Sequence, residues 1–200
     1  MMYDQYAALI FDMDGTLVDS GQLHEFAWTE TFNKYGIPVD RSLMRSLAGV
    51  PTKDTIDLLL KKFSLEVNAS LDEMNNFKEL VVHQHMHKYV KPTALLEVAQ
   101  RYHGVKPMAV GTGAYTQEAQ TILKLCGLDT YVTAVVGADQ VINPKPAPDT
   151  FLRCAELLGV EPTQCVVFED SKAGLQAAAS AGMAGIDVLL VHAIENDYFL

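Results

Sequence analysis

The order of hydrophobic and polar positions divides the chain into two kinds of segment. An unbroken apolar run, Ala7 to Phe11, is typical of a strand that is buried on both faces of a parallel sheet. From about residue 20 to residue 90 the apolar positions recur with helical spacing instead, and they predict helices only. Turn and capping residues bound these helices, namely Gly36, Asp40, Thr52 and Ser70.

After Pro92, short apolar runs alternate with helical segments. The runs predict strands at Met108–Thr112, Ala134–Gly137, Cys165–Phe168 and Val188–Val191, and the intervening helices stop at Gly127, Gly159 and Gly182. This alternation predicts an α/β fold, a Rossmann-like three-layer α/β/α core with a parallel sheet. The core is expected to comprise residues 1–19 and 91–200, with residues 20–90 as a small inserted all-helical domain. Hinges are expected near Ser20 and near residues 90–92.

Composition narrows the classes of partner. The chain has 200 residues, a formal net charge of −10 and 49% hydrophobic residues, so it can bury a core but should repel nucleic acid and anionic membranes. We see no signal peptide and no apolar run long enough to span a bilayer. Three widely spaced cysteines, without metal-binding spacing, favour reduced thiols and a cytoplasmic location.

Polar residues collect at the predicted carboxyl ends of the strands, where ligands bind in such sheets. They are Asp12 and Asp14, Thr112 and Gly113, Lys145, and Glu169 and Asp170. Carboxylates this close repel each other unless a cation such as Mg²⁺ lies between them. A hydroxyl, exposed amides and an ammonium suit the oxygens of a phosphoryl group. Two interpretations without a ligand site are also open. Asp12 and Asp14 could form only an acidic turn, and Lys145 could belong only to a proline-rich start of a helix.

Four segments resemble, in order, the motifs of haloacid-dehalogenase-superfamily phosphatases. They are Asp12-x-Asp14-Gly15-Thr16-Leu17-x-Asp19-Ser20, Val110-Gly111-Thr112-Gly113, Lys145-Pro146-x-Pro148 and Glu169-Asp170-Ser171-x-x-Gly174. The resemblance covers essentially the whole chain, and the helical insert is similar to that family's small cap. Within the superfamily the chain looks closest to the β-phosphoglucomutase-like branch, especially its bacterial fructose-1-phosphate phosphatases.

This resemblance implies a Mg²⁺-dependent phosphatase of small sugar phosphates that uses a covalent aspartyl-phosphate. It implies that Asp12 is the nucleophile and that Asp14 is the acid and base. Thr112, Gly113 and Lys145 would then hold the phosphoryl oxygens. The implied metal site comprises Asp12, Asp14 through its main-chain carbonyl, Asp170, and Glu169 as a ligand or as support for the ligands.

The helical insert is expected to supply groups that select the sugar. By resemblance these are His24 and Trp28, with Lys53 and Lys78 as further candidates; the alternative for both lysines is a solvated helix face. His83, His85 and His87 are expected to mark only an exposed helix end. We expect a monomer or a weak dimer.

Two other functions stay open at this point. One is a β-phosphoglucomutase, which interconverts β-glucose 1-phosphate and glucose 6-phosphate. The mutases follow the Gly-Val of the cap with a phosphate-binding arginine, whereas this chain reads Gly49-Val50-Pro51-Thr52-Lys53. Because lysine does not replace a bidentate arginine, this departure favours hydrolysis. The other is a phospho-ligand binder without catalysis.

Overall fold

A parallel sheet forms the centre of the larger part of the chain. The structure is a computed structural model, and it describes residues 2–48, 50–195 and 197–199. Its strands, in chain order, are β1 (Ala8–Phe11), β2 (Val18–Asp19), β3 (Lys91–Pro92), β4 (Met108–Gly111), β5 (Ala134–Val136), β6 (Cys165–Glu169) and β7 (Ala184–Asp187). Five of them form one sheet in the order β5–β4–β1–β6–β7, and each of its pairings is parallel.

The helices fall into two groups. One follows β2 without interruption by a strand: α1 (Gly21–Tyr35), α2 (Arg41–Ser46), α3 (Thr52–Phe63) and α4 (Leu71–Tyr89). The other alternates with strands: α5 (Leu95–Tyr102), α6 (Thr116–Leu125), α7 (Asp149–Leu158), α8 (Lys172–Ser180) and α9 (Val188–Val191). None of the helices among the described residues is both long and apolar enough to cross a membrane.

Contacts divide the chain into two compact units. The first comprises Met1–Asp19 and Val90–Asn196, and the second comprises Ser20–Tyr89 and Asp197–Leu200. In the first unit, Ala8 and Ile10 of β1 lie in an apolar cluster with Phe151 of α7 and Ala177 of α8. The alternate side chains of β1 are also fully buried, so both faces of the central strand are covered. The predicted Rossmann-like α/β core with a parallel sheet is confirmed.

The second unit has a core of its own. Trp28 and Phe32 of α1 pack with Met44, Ile56 and Met74 from the other three helices. The predicted caps of two helices are confirmed. Asp40 accepts a hydrogen bond from the Leu43 N–H (2.9 Å) at the start of α2. At the start of α4, Ser70 Oγ accepts from the Glu73 N–H (3.1 Å), and Glu73 Oε2 accepts from the Ser70 N–H (2.8 Å).

One predicted strand is wrong. Val188–Val191 was expected to be the last strand, but it forms helix α9, and β7 is the preceding segment Ala184–Asp187. The carboxylate of Asp187 accepts hydrogen bonds from the N–H groups of Leu189 (3.0 Å) and Leu190 (3.3 Å), so it begins a helix there. The apolar run is the helix, and the strand itself is rich in small residues.

Candidate active site

The parallel order of the sheet brings the predicted site residues of three strands to one edge. Asp12 follows β1, Thr112 follows β4, and Glu169 ends β6, with Asp170 next to it. β1 lies between β4 and β6, and the N–H of Asp12 continues the ladder by donating to Phe168 O (2.9 Å). Because the strands are parallel, these side chains all follow carboxyl ends at the same edge.

Lys145 lies between two of these carboxylates. Its Nζ donates to Asp12 Oδ1 (2.7 Å) and to Glu169 Oε2 (2.8 Å), and it lies 4.6 Å from the centre of the Phe151 ring. The three charged side chains are nearly removed from solvent, with 12%, 10% and 1% exposed for Lys145, Asp12 and Glu169. A buried ammonium therefore bridges two strand ends, and the helix-start alternative does not account for this.

Burial and charge change the protonation equilibria of this cluster. Burial raises the pKa of Asp12 well above its ordinary value, the charges of Glu169 and Asp170 add to this, and Lys145 opposes it. Burial alone would lower the pKa of Lys145, but Asp12 and Glu169 outweigh it, and the pKa is raised. The negative charges of Glu169 and Asp170 thus add to the effect of burial at Asp12, and those of Asp12 and Glu169 outweigh burial at Lys145, so this edge carries a surplus of negative charge.

The carboxylates of this edge form a set of oxygen donors suited to a metal ion. Asp12, Glu169 and Asp170 each offer an oxygen, and these oxygens lie within 4.8 Å of one another. A hard divalent cation such as Mg²⁺ prefers oxygen ligands, and it would neutralise the surplus charge. The residues present therefore fit the ion that the sequence predicts.

Glu169 is held in one position by the loop that follows it. Its Oε1 accepts hydrogen bonds from Asp170 N (3.2 Å), Ser171 N (3.0 Å) and Ser171 Oγ (2.8 Å). Ser171 Oγ in turn accepts from Gly174 N (3.0 Å) and begins helix α8. Because its other oxygen binds Lys145, Glu169 is suited to support the metal ligands and to orient the lysine.

Gly174 leaves the space that the Glu169 carboxylate occupies. A Cβ atom at this position would lie 1.8 Å from Glu169 Oε2 and 2.0 Å from Cδ. In an ordinary helix interior, Gly→Ala stabilises by roughly 0.5–1 kcal/mol. At position 174 the same substitution should instead destabilise the protein, because the Glu169 carboxylate, which is bound to Lys145, would have to move.

We therefore expect Gly174→Ala to lower stability by about 1–3 kcal/mol, as overpacking does, and to lower kcat as well. Chemical unfolding and steady-state assays measure the two effects. The matched control is Gln176→Ala, at an exposed position of the same helix, which should leave both unchanged. A Gly174→Ala protein as stable and active as the parent would contradict this account of Glu169.

Asp14 lies in a tight turn after β1. The N–H of Gly15 donates to Val18 O (2.8 Å), and Gly15 has a φ of 76°, which glycine adopts readily. Asp14 is half-buried. Burial, followed by the charge of Asp14, raises the pKa of the Cys126 thiol to about 11, so Cys126 is near this carboxylate yet protonated at neutral pH.

Thr16 and Ser171 lie within the motifs and contact the carboxylates of this edge, but the sequence did not identify them as part of the site. Thr16 is fully buried, and its hydroxyl contacts Asp170 Oδ1 (3.4 Å). The main-chain oxygen of Thr16 accepts from the hydroxyl of Thr93 (2.6 Å), at the opposite end of the inserted segment. Ser171 orients Glu169. The sequence feature that could have identified them is a short polar side chain in the loop that follows a strand.

Thr112 is buried, but its hydroxyl faces the loop that it begins. Its Oγ1 accepts a hydrogen bond from Ala114 N (3.1 Å), and its own N–H donates to Val136 O (2.9 Å) on β5. Gly113 follows, with open space where a Cβ would stand. The roles predicted for both residues stay predictions.

The helical unit holds the residues that were expected to select the sugar. His24 and Trp28 lie on α1, half-buried and buried respectively, and exposed Lys53 pairs with Asp72 of α4. Lys78 is buried beside the Trp28 ring and pairs with Glu79 (3.2 Å), so the solvated-face alternative is wrong for this lysine. Gly49, part of the segment compared with the mutases, lies outside the described residues.

Comparison with known proteins places these observations in a family. Residues 6–182 match the haloacid dehalogenase-like hydrolases. The chain is 45% identical to fructose-1-phosphate phosphatase YqaB of Escherichia coli, over 95% of this chain and 100% of that protein. It is 35% identical to a phosphorylated carbohydrates phosphatase of Thermotoga maritima, over 90% of this chain and 83% of that protein.

Solved structures agree with this assignment. CbbY from Rhodobacter sphaeroides, in complex with phosphate, superposes with a TM-score of 0.76 at 25% identity, over 90% of this chain and 84% of that one. The predicted superfamily is thus confirmed, and the two phosphatase relatives agree with the predicted enzyme class, phosphoric monoester hydrolase. The chain belongs to the haloacid dehalogenase-like hydrolases.

Proposed function

We propose that this chain is a cytoplasmic, Mg²⁺-dependent phosphatase that hydrolyses small sugar phosphates, such as fructose 1-phosphate, through an aspartyl-phosphate on Asp12. The observation that carries the proposal is the bridge from Lys145 to Asp12 and Glu169, beside the three-carboxylate cluster. The names of the two phosphatase relatives support the substrate class.

Asp12 performs the first half of the reaction. Its carboxylate oxygen attacks phosphorus, a P–O bond forms to Asp12, and the bond from phosphorus to the sugar oxygen breaks. Asp14 gives its proton to the departing oxygen. Lys145, already within 2.7 Å of Asp12, binds the phosphoryl oxygens together with the hydroxyl of Thr112 and the N–H of Gly113.

The second half regenerates the enzyme. Asp14, now a carboxylate, takes a proton from water, and the water oxygen attacks phosphorus as the bond to Asp12 breaks. Inorganic phosphate leaves, and Asp14 is again protonated. Glu169 keeps Lys145 in place throughout, because its own position is fixed by Ser171 and the N–H of Asp170.

The metal ligands that we propose are Asp12, Asp170 and the main-chain carbonyl of Asp14, with Glu169 supporting them. Mg²⁺, when bound, would offset the negative charge of the phosphoryl group and of the carboxylates. Thr16, in contact with Asp170, orients that ligand.

The helical unit is proposed to contact the leaving sugar through His24, Trp28 and Lys53. Lys53 pairs with Asp72, which weakens its candidacy as a replacement for the arginine of the mutases. A mutase has to retain a bisphosphate while it turns over. We therefore favour hydrolysis, and the assay below distinguishes the two reactions.

A panel of sugar phosphates, assayed with and without Mg²⁺, tests the proposal. We expect phosphate release from several sugar phosphates, including fructose 1-phosphate, which chelation abolishes and added Mg²⁺ restores. A matched assay with β-glucose 1-phosphate should give free phosphate and no glucose 6-phosphate. Formation of glucose 6-phosphate would identify a mutase, and absence of turnover on every phosphomonoester would indicate a binding protein.

A further inference from the structure

The last described residues fold onto helix α1. Gln22 Nε2 donates to Asp197 Oδ2 (2.9 Å), and Glu25 Oε2 accepts from the N–H of Phe199 (2.9 Å). The indole of Trp28 makes a side-chain hydrogen bond to Tyr198. Positions 22, 25 and 28 are three residues apart, so they lie along one side of the helix. We refer to residues 197–199 as the C-terminal strap.

The aromatic residues of the strap belong to the core of the helical unit. Phe199 is 2% exposed and lies in the same apolar cluster as Trp28 and Phe32. Arg41 lies 5.5 Å from the centre of the Phe199 ring and donates to Glu25 Oε1 (2.8 Å). Glu25 therefore holds the strap through one oxygen and Arg41 through the other.

The hydroxyl of Tyr198 that bonds to the indole is uncharged. Its ring stands edge-on to Phe199, with the ring centres 4.8 Å apart. Burial raises the pKa of Tyr198, the charge of Glu25 adds to this, and the hydrogen bond from Trp28 opposes it without reversing it. The hydroxyl therefore stays protonated at neutral pH, and it satisfies the one polar group of the indole.

Two other side chains contact the Trp28 ring. Its ring is stacked with that of Phe32, with 5.4 Å between the centres, and Lys78 Nζ lies 5.8 Å from the ring centre. As a whole residue, Trp28 is 5% exposed. Removing the strap would leave its N–H and one flank without the groups that now contact them.

We propose that Tyr198 and Phe199 are positioning residues that fix the indole of Trp28, and that through Trp28 they set the preference of the helical unit among sugar phosphates. The first half stands on the contacts within the helical unit alone. The second half rests on the proposed function, in which Trp28 contacts the leaving sugar.

The first half can be tested without any activity, because Trp28 is the only tryptophan of the chain. Tyr198→Phe removes one hydroxyl, and Phe199→Leu reduces the packing, so both variants should fold, as circular dichroism will verify. We expect a shifted emission maximum in both, and severalfold stronger acrylamide quenching in Phe199→Leu. The matched controls Tyr131→Phe, in the first unit, and Phe63→Leu, beside the same apolar cluster, should keep the parent spectrum.

The second half is tested by the split between KM and kcat. Tyr198→Phe and Phe199→Leu should raise KM for sugar phosphates by about tenfold, as loss of positioning does, while the hydrolysis of p-nitrophenyl phosphate, which lacks a sugar, stays unchanged. A general loss of folding would instead affect both substrates.

The outcomes separate the two proposals. Unchanged emission and quenching in both variants would overturn the positioning role. A changed spectrum with unchanged KM values would overturn the link to specificity and retain the positioning role. A parent protein that hydrolyses no phosphomonoester would overturn the proposed function and the link to specificity together, while the fluorescence would still decide the first half.

Discussion

Asp12→Asn is expected to lower kcat by at least about a thousandfold, because the variant lacks the carboxylate that we propose to bond to phosphorus. The substitution preserves the shape of the side chain and an oxygen that can still accept from Lys145, so the fold should persist. Release of inorganic phosphate from fructose 1-phosphate measures the effect. The matched control is Asp129→Asn, at an exposed position of the same unit, which should retain full activity.

The same substitution, Asp12→Asn, should lower activity but should not lower the stability of the metal-free protein. The pKa of Asp12 is raised above its ordinary value of 3.8, first by burial and then by the charges of Glu169 and Asp170. The folded protein therefore binds this proton more tightly than the unfolded chain, and stability falls as pH rises from 3.8 through the raised pKa. Asparagine does not titrate, so the variant lacks this fall in stability.

The metal-free Asp12→Asn protein should therefore have a melting temperature at neutral pH that is no lower than that of the parent. Its advantage should shrink as pH falls toward 3.8, because the parent carboxyl is then protonated in both states. Turnover by the variant at more than a trace level would contradict the covalent mechanism. A melting temperature well below that of the parent would contradict the charge balance inferred for the site.

Much of the site was predictable because its residues follow strands that the sequence marks clearly. The runs before Asp12, Thr112 and Glu169 are apolar and short, and adjacent parallel strands place such ends together without any knowledge of the loops. Helix caps were predictable for a similar reason. Asp40 and Ser70 act on N–H groups within three residues, so local sequence contains both partners.

Other features depend on contacts that sequence spacing does not contain. Val188–Val191 has the composition of a strand, yet Asp187 begins a helix there, and tertiary pairing assigns the strand to Ala184–Asp187. The carboxylate of Glu169 occupies the space left by Gly174, which only coordinates reveal. Phe199 lies in the apolar cluster of Trp28 and Phe32, which are far from it in sequence.

Lys145→Met is expected to impair both catalysis and stability. Loss of one group that binds the phosphoryl oxygens should lower kcat by about 10²–10³-fold, as for other donors to a developing anion. Loss of the ammonium also leaves Asp12 and Glu169 buried together without the charge that now bridges them. Breaking a buried ion pair in this way costs about 3–5 kcal/mol. Denaturant unfolding at pH 7 without metal measures this loss.

The pH dependence of that loss distinguishes charge from packing. Lys145 opposes the rise in the pKa of Asp12, so without it folded Asp12 binds its proton still more tightly. The stability difference between parent and variant should therefore narrow as the pH is lowered toward 4 and widen as it is raised. A packing defect would give a difference independent of pH. The matched control, Lys124→Met at an exposed position of α6, should lie within about 0.5 kcal/mol of the parent. Lys145→Met with parental stability at pH 7 would refute the bridging role of the ammonium, since the two buried carboxylates would then tolerate each other unaided.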